Sequence, residues 1–179
     1  MNKAFLCVLL ALTLLIEGCG SSMEGEQYEK MGPELDLFTF FNSNVKAWGI
    51  VQNRSGNVVQ RFTVDIKGSV RDTELVLEES FTYHQGKGPT SRTWRIKKIS
   101  EDKFTGKAND IPGDAIGTSH GNAFHFTYQM DLPVEDDTYN VVFDDWFFAI
   151  DDQTLINRSY IRKFGLVMAE VTIFMRQRD

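Results

Sequence analysis

The stretch Phe124-His125-Phe126-Thr127-Tyr128-Gln129-Met130-Asp131-Leu132 decides the fold. Every second residue is large and apolar (Phe124, Phe126, Tyr128, Met130, Leu132), and those between are polar or small. Successive side chains of a strand point to opposite faces, so this pattern is that of a β-strand buried on one side. The same period recurs upstream. Phe62, Val64 and Ile66 alternate with Thr63, Asp65 and Lys67, and the face carrying Leu75 and Leu77 continues to Phe81 and Tyr83. Turn-forming clusters separate the runs: Asn53-Arg54-Ser55-Gly56-Asn57, Gly86-Lys87-Gly88-Pro89, Asn109-Asp110-Ile111-Pro112-Gly113, Asp136-Asp137 and Asp151-Asp152-Gln153.

Period and turns together predict strands near 45–52, 58–69, 74–83, 91–99, 103–108, 114–119, 123–132, 138–150, 154–164 and 166–176. Helical signal is confined to one short turn around Leu35, Leu37, Phe38, Phe40 and Phe41. Short loops between successive strands read as an all-β antiparallel meander of about 8–10 strands. Closing it into an up-and-down barrel removes the exposed edges of an open sheet; a two-sheet β-sandwich is the alternative.

The N-terminus reads as a targeting segment. Lys3 precedes an uncharged, largely apolar run from Ala4 to Ile16. As a helix that run would reach about 20 Å, short of the ~30 Å hydrocarbon core of a bilayer, which fits the apolar region of a signal peptide. Leu15-Ile16-Glu17-Gly18-Cys19 resembles the bacterial lipobox. The resemblance implies cleavage before Cys19 and its acylation, and two or more acyl chains anchor stably. Gly20 stands where an Asp commonly signals inner-membrane retention, so the expected address is the outer membrane, periplasmic face. The expected organisation is a signal peptide over 1–18, a lipidated Cys and flexible tether over 19–32, and one domain over 33–179.

Removing residues 1–18 takes away Lys3 and Glu17 and leaves the net charge at −6, which argues against nucleic acid as a partner. Of the two cysteines, Cys7 leaves with the signal and Cys19 is consumed by lipid, so the domain has no disulfide and no thiolate metal ligand. His84, His120 and His125 lack metal-ligand spacing, and no Gly-x-Ser-x-Gly elbow is present. No catalytic residue, metal or cofactor is therefore assigned.

Trp48-Gly49, Phe81-x-Tyr83, Arg92-x-Trp94, Gly106-x-Ala108-x-Asp110, Gly121-Asn122-Ala123, Asp144-Asp145-Trp146, Asn157-Arg158 and Lys163-Phe164-Gly165 together resemble a family of proteobacterial lipoproteins of unassigned function. The likeness runs from about Leu35 to Met175 and brings no activity with it. A barrel with a short N-terminal helix also resembles the lipocalins, which implies an interior holding one small apolar ligand, a likeness of fold only.

Several polar residues share register with the apolar face. Glu79 alternates with Leu77 and Phe81, and Arg92 alternates with Trp94 on the next strand. A buried carboxylate needs a partner or a raised pKa, so the two read either as a structural ion pair or as a handle for a ligand headgroup. Asp144 and Asp145 face opposite sides of their strand, as do Asn157 and Arg158 on the next, so at most one Asp joins any interior group and a cross-strand Asp–Arg pair fits either face. A register-fixing salt bridge is the plainer account of such a pair. Gly106, Ala108, Ala115 and Gly117 leave room for a ligand or for tight strand curvature. The expected site combines Glu79, Arg92, Asp145, Asn157 and Arg158 with the aromatics Trp94, Phe126 and Tyr128. The expected ligand is apolar or amphipathic, a fatty-acid or lipid-derived molecule. Alternatives are an envelope lipoprotein that binds a protein partner, and an acid–base enzyme acting on a lipid-like substrate.

Overall fold

The computed structural model describes residues 23–134 and 137–178. Cys19 and the 1–18 segment lie outside the described residues. Ten strands follow in order: β1 (Asn44–Asn53), β2 (Val58–Arg71), β3 (Glu74–Gln85), β4 (Ser91–Lys98), β5 (Lys103–Ala108), β6 (Ala115–His120), β7 (Ala123–Val134), β8 (Asp137–Asp151), β9 (Thr154–Lys163) and β10 (Leu166–Arg178). Each pairs antiparallel with its sequence neighbours, and β1 closes on β10 from Asn44↔Arg178 to Asn53↔Ala169. The closed circuit excludes the sandwich. Turn chemistry explains the tight hairpins. Phe164 and Gly165, between β9 and β10, have φ of 53° and 77°, the left-handed values a two-residue turn requires.

One end of the barrel is plugged by α1 (Leu37–Phe41), which presents Leu37, Phe40 and Phe41 to the interior. Asp36 starts it, its Oδ1 accepting from the backbone N–H groups of Phe38 and Thr39 at 2.9 and 3.0 Å. Gly68 on β2 lets the helix seat, because a Cβ there would collide with the Phe41 carbonyl. Gln177 Nε2, near the end of β10, donates to the Phe40 carbonyl at 2.6 Å and ties the plug to the closing pair of strands.

Above α1 the interior is filled. Leu75, Leu155, Phe124 and Ala115 have at most 1% of their surface exposed, and Trp94, Phe104 and Phe126 pack on them. Each large side chain so buried contributes about 1.5–3 kcal/mol. The small-residue stripe serves this filling. A Cβ on Gly117 would lie 2.6 Å from Phe124 Cζ, and one on Gly106 would lie 2.5 Å from Phe126 Cζ. The space these glycines leave is occupied by phenyl rings of the chain itself, so it is not ligand room at this level.

The segment expected as a free tether is partly folded. Gly25–Tyr28 forms one 3-10 turn on the outer wall, with the Tyr28 ring 5.3 Å from Phe148 and 5.9 Å from Trp146. An aromatic side chain on an otherwise polar segment accounts for the docking. Among the described residues, no helix is long and apolar enough to cross a membrane.

Candidate functional site

Along each strand the inward side chains change character with height. Toward the end opposite α1, Val51, Phe81, Tyr83, Leu132 and Phe143 face inward yet keep accessible surface, unlike the filled floor. Between floor and rim lies a polar belt. Glu79 on β3 is directly opposite Arg92 on β4, and Asp145 on β8 is opposite both Phe126 on β7 and Ser159 on β9.

Arg92 reaches upward rather than across. Its Nη2 lies 2.7 Å from Asp110 Oδ2 and its Nε donates to the same oxygen at 2.9 Å. The guanidinium also sits 5.9 Å from the Trp94 ring centroid. The expected Glu79–Arg92 pair is thus an Asp110–Arg92 pair. Asp110 comes from the β5–β6 loop, where strand periodicity carries no information about direction. Glu79 makes no side-chain hydrogen bond or salt bridge among the described residues. Burial pushes its pKa up to about 7, an effect that Arg92 opposes and Asp110 and Asp145 reinforce.

Tyr128 donates from its hydroxyl to Asp145 Oδ2 at 3.2 Å and stacks on Phe143, ring centroids 5.1 Å apart. Burial, with the Asp145 charge beside it, holds the phenol well above its ordinary pKa, so it remains a donor. Burial likewise raises Asp145 to about 6, against the pull of the Ser159 and Tyr128 hydroxyls. Ser159, directly opposite Asp145, aims its hydroxyl at that carboxyl, and among the described residues Asp110 Oδ1 is buried without a hydrogen-bond partner. For Arg92, burial disfavours the charge, but Tyr128, Glu79 and Asp110 outweigh it and keep the guanidinium protonated.

The structure therefore gathers Glu79, Arg92, Trp94, Phe126, Tyr128, Asp145 and Asn157 on the lumenal side. Asn157 is spent locally, its Nδ2 donating to the Trp146 carbonyl at 3.2 Å. Arg158 is not part of the group. It lies on the outer face, bonded to Glu170 Oε2 at 2.8 Å and set over the Tyr160 ring. The alternation that brings Asn157 inward turns its neighbour out. Ser159 was missed as a candidate, although it shares the register of Leu155, Asn157 and Ile161.

Asp144 faces outward too. Its Oδ1 lies 2.8 Å from His125 Nε2 and accepts from Trp146 Nε1 at 3.1 Å; its Oδ2 accepts from Arg162 Nε at 2.9 Å. The His125 hydrogen bond, helped by Arg162, holds Asp144 below the usual carboxylate range. This clasp links β7, β8 and β9 on the wall where Tyr28 docks. Nearby, β6 stops short, so β7 beyond Tyr128 pairs only with β8. A groove of about 300 Å³ opens there, lined by Gly113, Asp114, Thr127, Tyr128, Gln129 and Val142.

A solved structure with a similar fold is an S-type phycobiliprotein lyase from Guillardia theta. It superposes with a TM-score of 0.58 over 88% of this chain and 99% of that one, at 9% identity, a likeness of fold. No curated protein matches the chain. A family pattern does match, over residues 13–177, and on that extent the chain belongs to the family described as "Protein of unknown function (DUF3833)".

Proposed function

We propose that this chain is a lipoprotein of the outer membrane, acylated on Cys19 and facing the periplasm. Its barrel would bind an apolar or amphipathic, lipid-like small molecule in the half of the lumen away from α1. The anchor reading rests on the apolar run Ala4–Ile16 and on Leu15-Ile16-Glu17-Gly18-Cys19. In it, residues 1–18 are removed, 19–32 join lipid to barrel, and 33–179 form the binding domain.

One observation carries the binding reading: a partly accessible aromatic wall stands directly above a buried polar belt that has unpartnered atoms. Pockets for amphipathic ligands combine an apolar wall with a few convergent polar groups, which is the arrangement here. The fold likeness to a phycobiliprotein lyase is compatible with it.

The test is native mass spectrometry with solvent extraction on protein purified from its own envelope. A lipid-sized adduct, displaced in a folded Phe143→Arg variant, is the expected result. A mass that stays bare after incubation with envelope lipid extract would overturn the binding reading. Metabolic labelling with a palmitate analogue, abolished by Cys19→Ser, tests the anchor separately.

A second reading, acid–base chemistry on a lipid-like substrate, is favoured by Glu79 alone, whose pKa of about 7 suits proton transfer near neutrality. Turnover of an extracted lipid that stops in Glu79→Gln would support it.

A further inference from the structure

The polar belt of the lumen has more acceptors than donors. Three carboxyl groups, Glu79, Asp110 and Asp145, share one guanidinium, one phenol and the Ser159 hydroxyl. All three are already committed, Arg92 to Asp110 and Tyr128 and Ser159 to Asp145. Glu79 is left without a hydrogen bond, and Asp110 Oδ1 is buried without a partner, among the described residues. Native interiors rarely leave such atoms unsatisfied, and a bound group able to donate to them completes the set.

We propose that the lumen holds an amphipathic molecule by a polar end that donates hydrogen bonds, of the class of a protonated amine, in preference to a carboxylate. The proposal rests on the binding reading above and narrows it. An ammonium group carries three donors and no acceptor, which suits the unserved oxygens of Glu79 and Asp110. A carboxylate brings only acceptors and a further negative charge beside three carboxyl groups. Its one cationic partner, Arg92, is already engaged at 2.7 Å by Asp110. The apolar body then lies along Phe81, Tyr83 and Phe143. Of the apolar or amphipathic ligands expected from the sequence, this belt disfavours a fatty-acid carboxylate against a lipid-derived molecule with a donating head.

The experiment compares decylamine, decanol and decanoate by isothermal titration on the full chain carrying Cys19→Ser, so that no acyl chain of its own enters the lumen. At about pH 8, where Glu79 and Asp145 are ionised, decylamine should bind roughly tenfold tighter than decanoate, with decanol between. Glu79→Gln/Asp145→Asn should bring amine and carboxylate to within roughly threefold of each other. Folding is checked by circular dichroism. If the double variant does not fold, Glu79→Gln alone should shrink the preference. Decanoate binding as tightly as decylamine would overturn the proposal and leave the binding reading standing. So would an amine preference that persists in the variants, since attraction to the acidic outer surface would then explain it. If none of the three binds, both readings fall.

Discussion

Glu79 and Arg92 stand side by side on adjacent strands, yet the arginine turns its charge to Asp110 and leaves the glutamate without a hydrogen bond. The arrangement sets a pH dependence. Glu79 and Asp145 have folded pKa values of about 7 and 6, above their ordinary 4.5 and 3.8, so the folded chain keeps protons that the unfolded chain releases. Their contribution to stability is complete below about pH 4 and is lost as pH rises through 6 to 7. Asp144, with its pKa lowered, acts in the opposite sense and loses its contribution only in stronger acid. The ligand-free protein should therefore melt at a higher temperature at pH 5 than at pH 8. Glu79→Gln should flatten that slope, by about 2–3 kcal/mol across the interval. Thermal scans at several pH values check both, and an unchanged slope in the variant would place the titration elsewhere.

Removing the cation should cost more than removing the pair. Arg92→Met strands Asp110 beside Glu79 and should lose about 3–5 kcal/mol in urea denaturation, whereas Arg92→Met with Asp110→Asn should recover more than half of it. A double variant no better than the single one would show that the arginine acts mainly by packing on Trp94.

How much of this was legible follows from where each residue sits. All ten predicted strands lie within two residues of those observed, because one buried and one solvated face impose a period of two along the whole wall. The inward turn of Glu79, Arg92 and Tyr128 follows from the same period. What the period does not fix is which parity faces in when polar residues occupy both, as at Asn157 and Arg158. It also says nothing of side chains in turns, and so Asp110 was not recognised as the partner of Arg92. The glycines at 106 and 117 required knowing which rings the neighbouring strands aim at them.

Seating of the plug depends on one missing methyl group. Gly68→Ala puts a carbon against the Phe41 carbonyl and should destabilise the protein by about 3 kcal/mol. Proteolysis should then begin within 35–43 before the strands are cut. Resistance equal to wild type would mean that α1 shifts at no cost.

Docking of the N-terminal turn should be separable from the barrel. Tyr28→Ala removes the ring's contacts with Trp146 and Phe148, worth about 1 kcal/mol. Hydrogen exchange should speed up over residues 23–32 while the global melting temperature barely moves. A large fall in melting temperature would instead make the turn part of the folding unit.

Among the described strands, the pairing of β1 with β10 is the one that sequence neighbours do not make. Nine hairpins form locally; this seam joins residues more than a hundred positions apart, and loop-closure entropy grows with the length of chain enclosed. The ring should accordingly close last in folding. Because Gln177 also holds α1, the same event that completes the ring stoppers it. Losing a few residues of β10 would not shorten a wall; it would unzip a cylinder, leaving β1 and β9 as bare edges on an open sheet that recruits other chains.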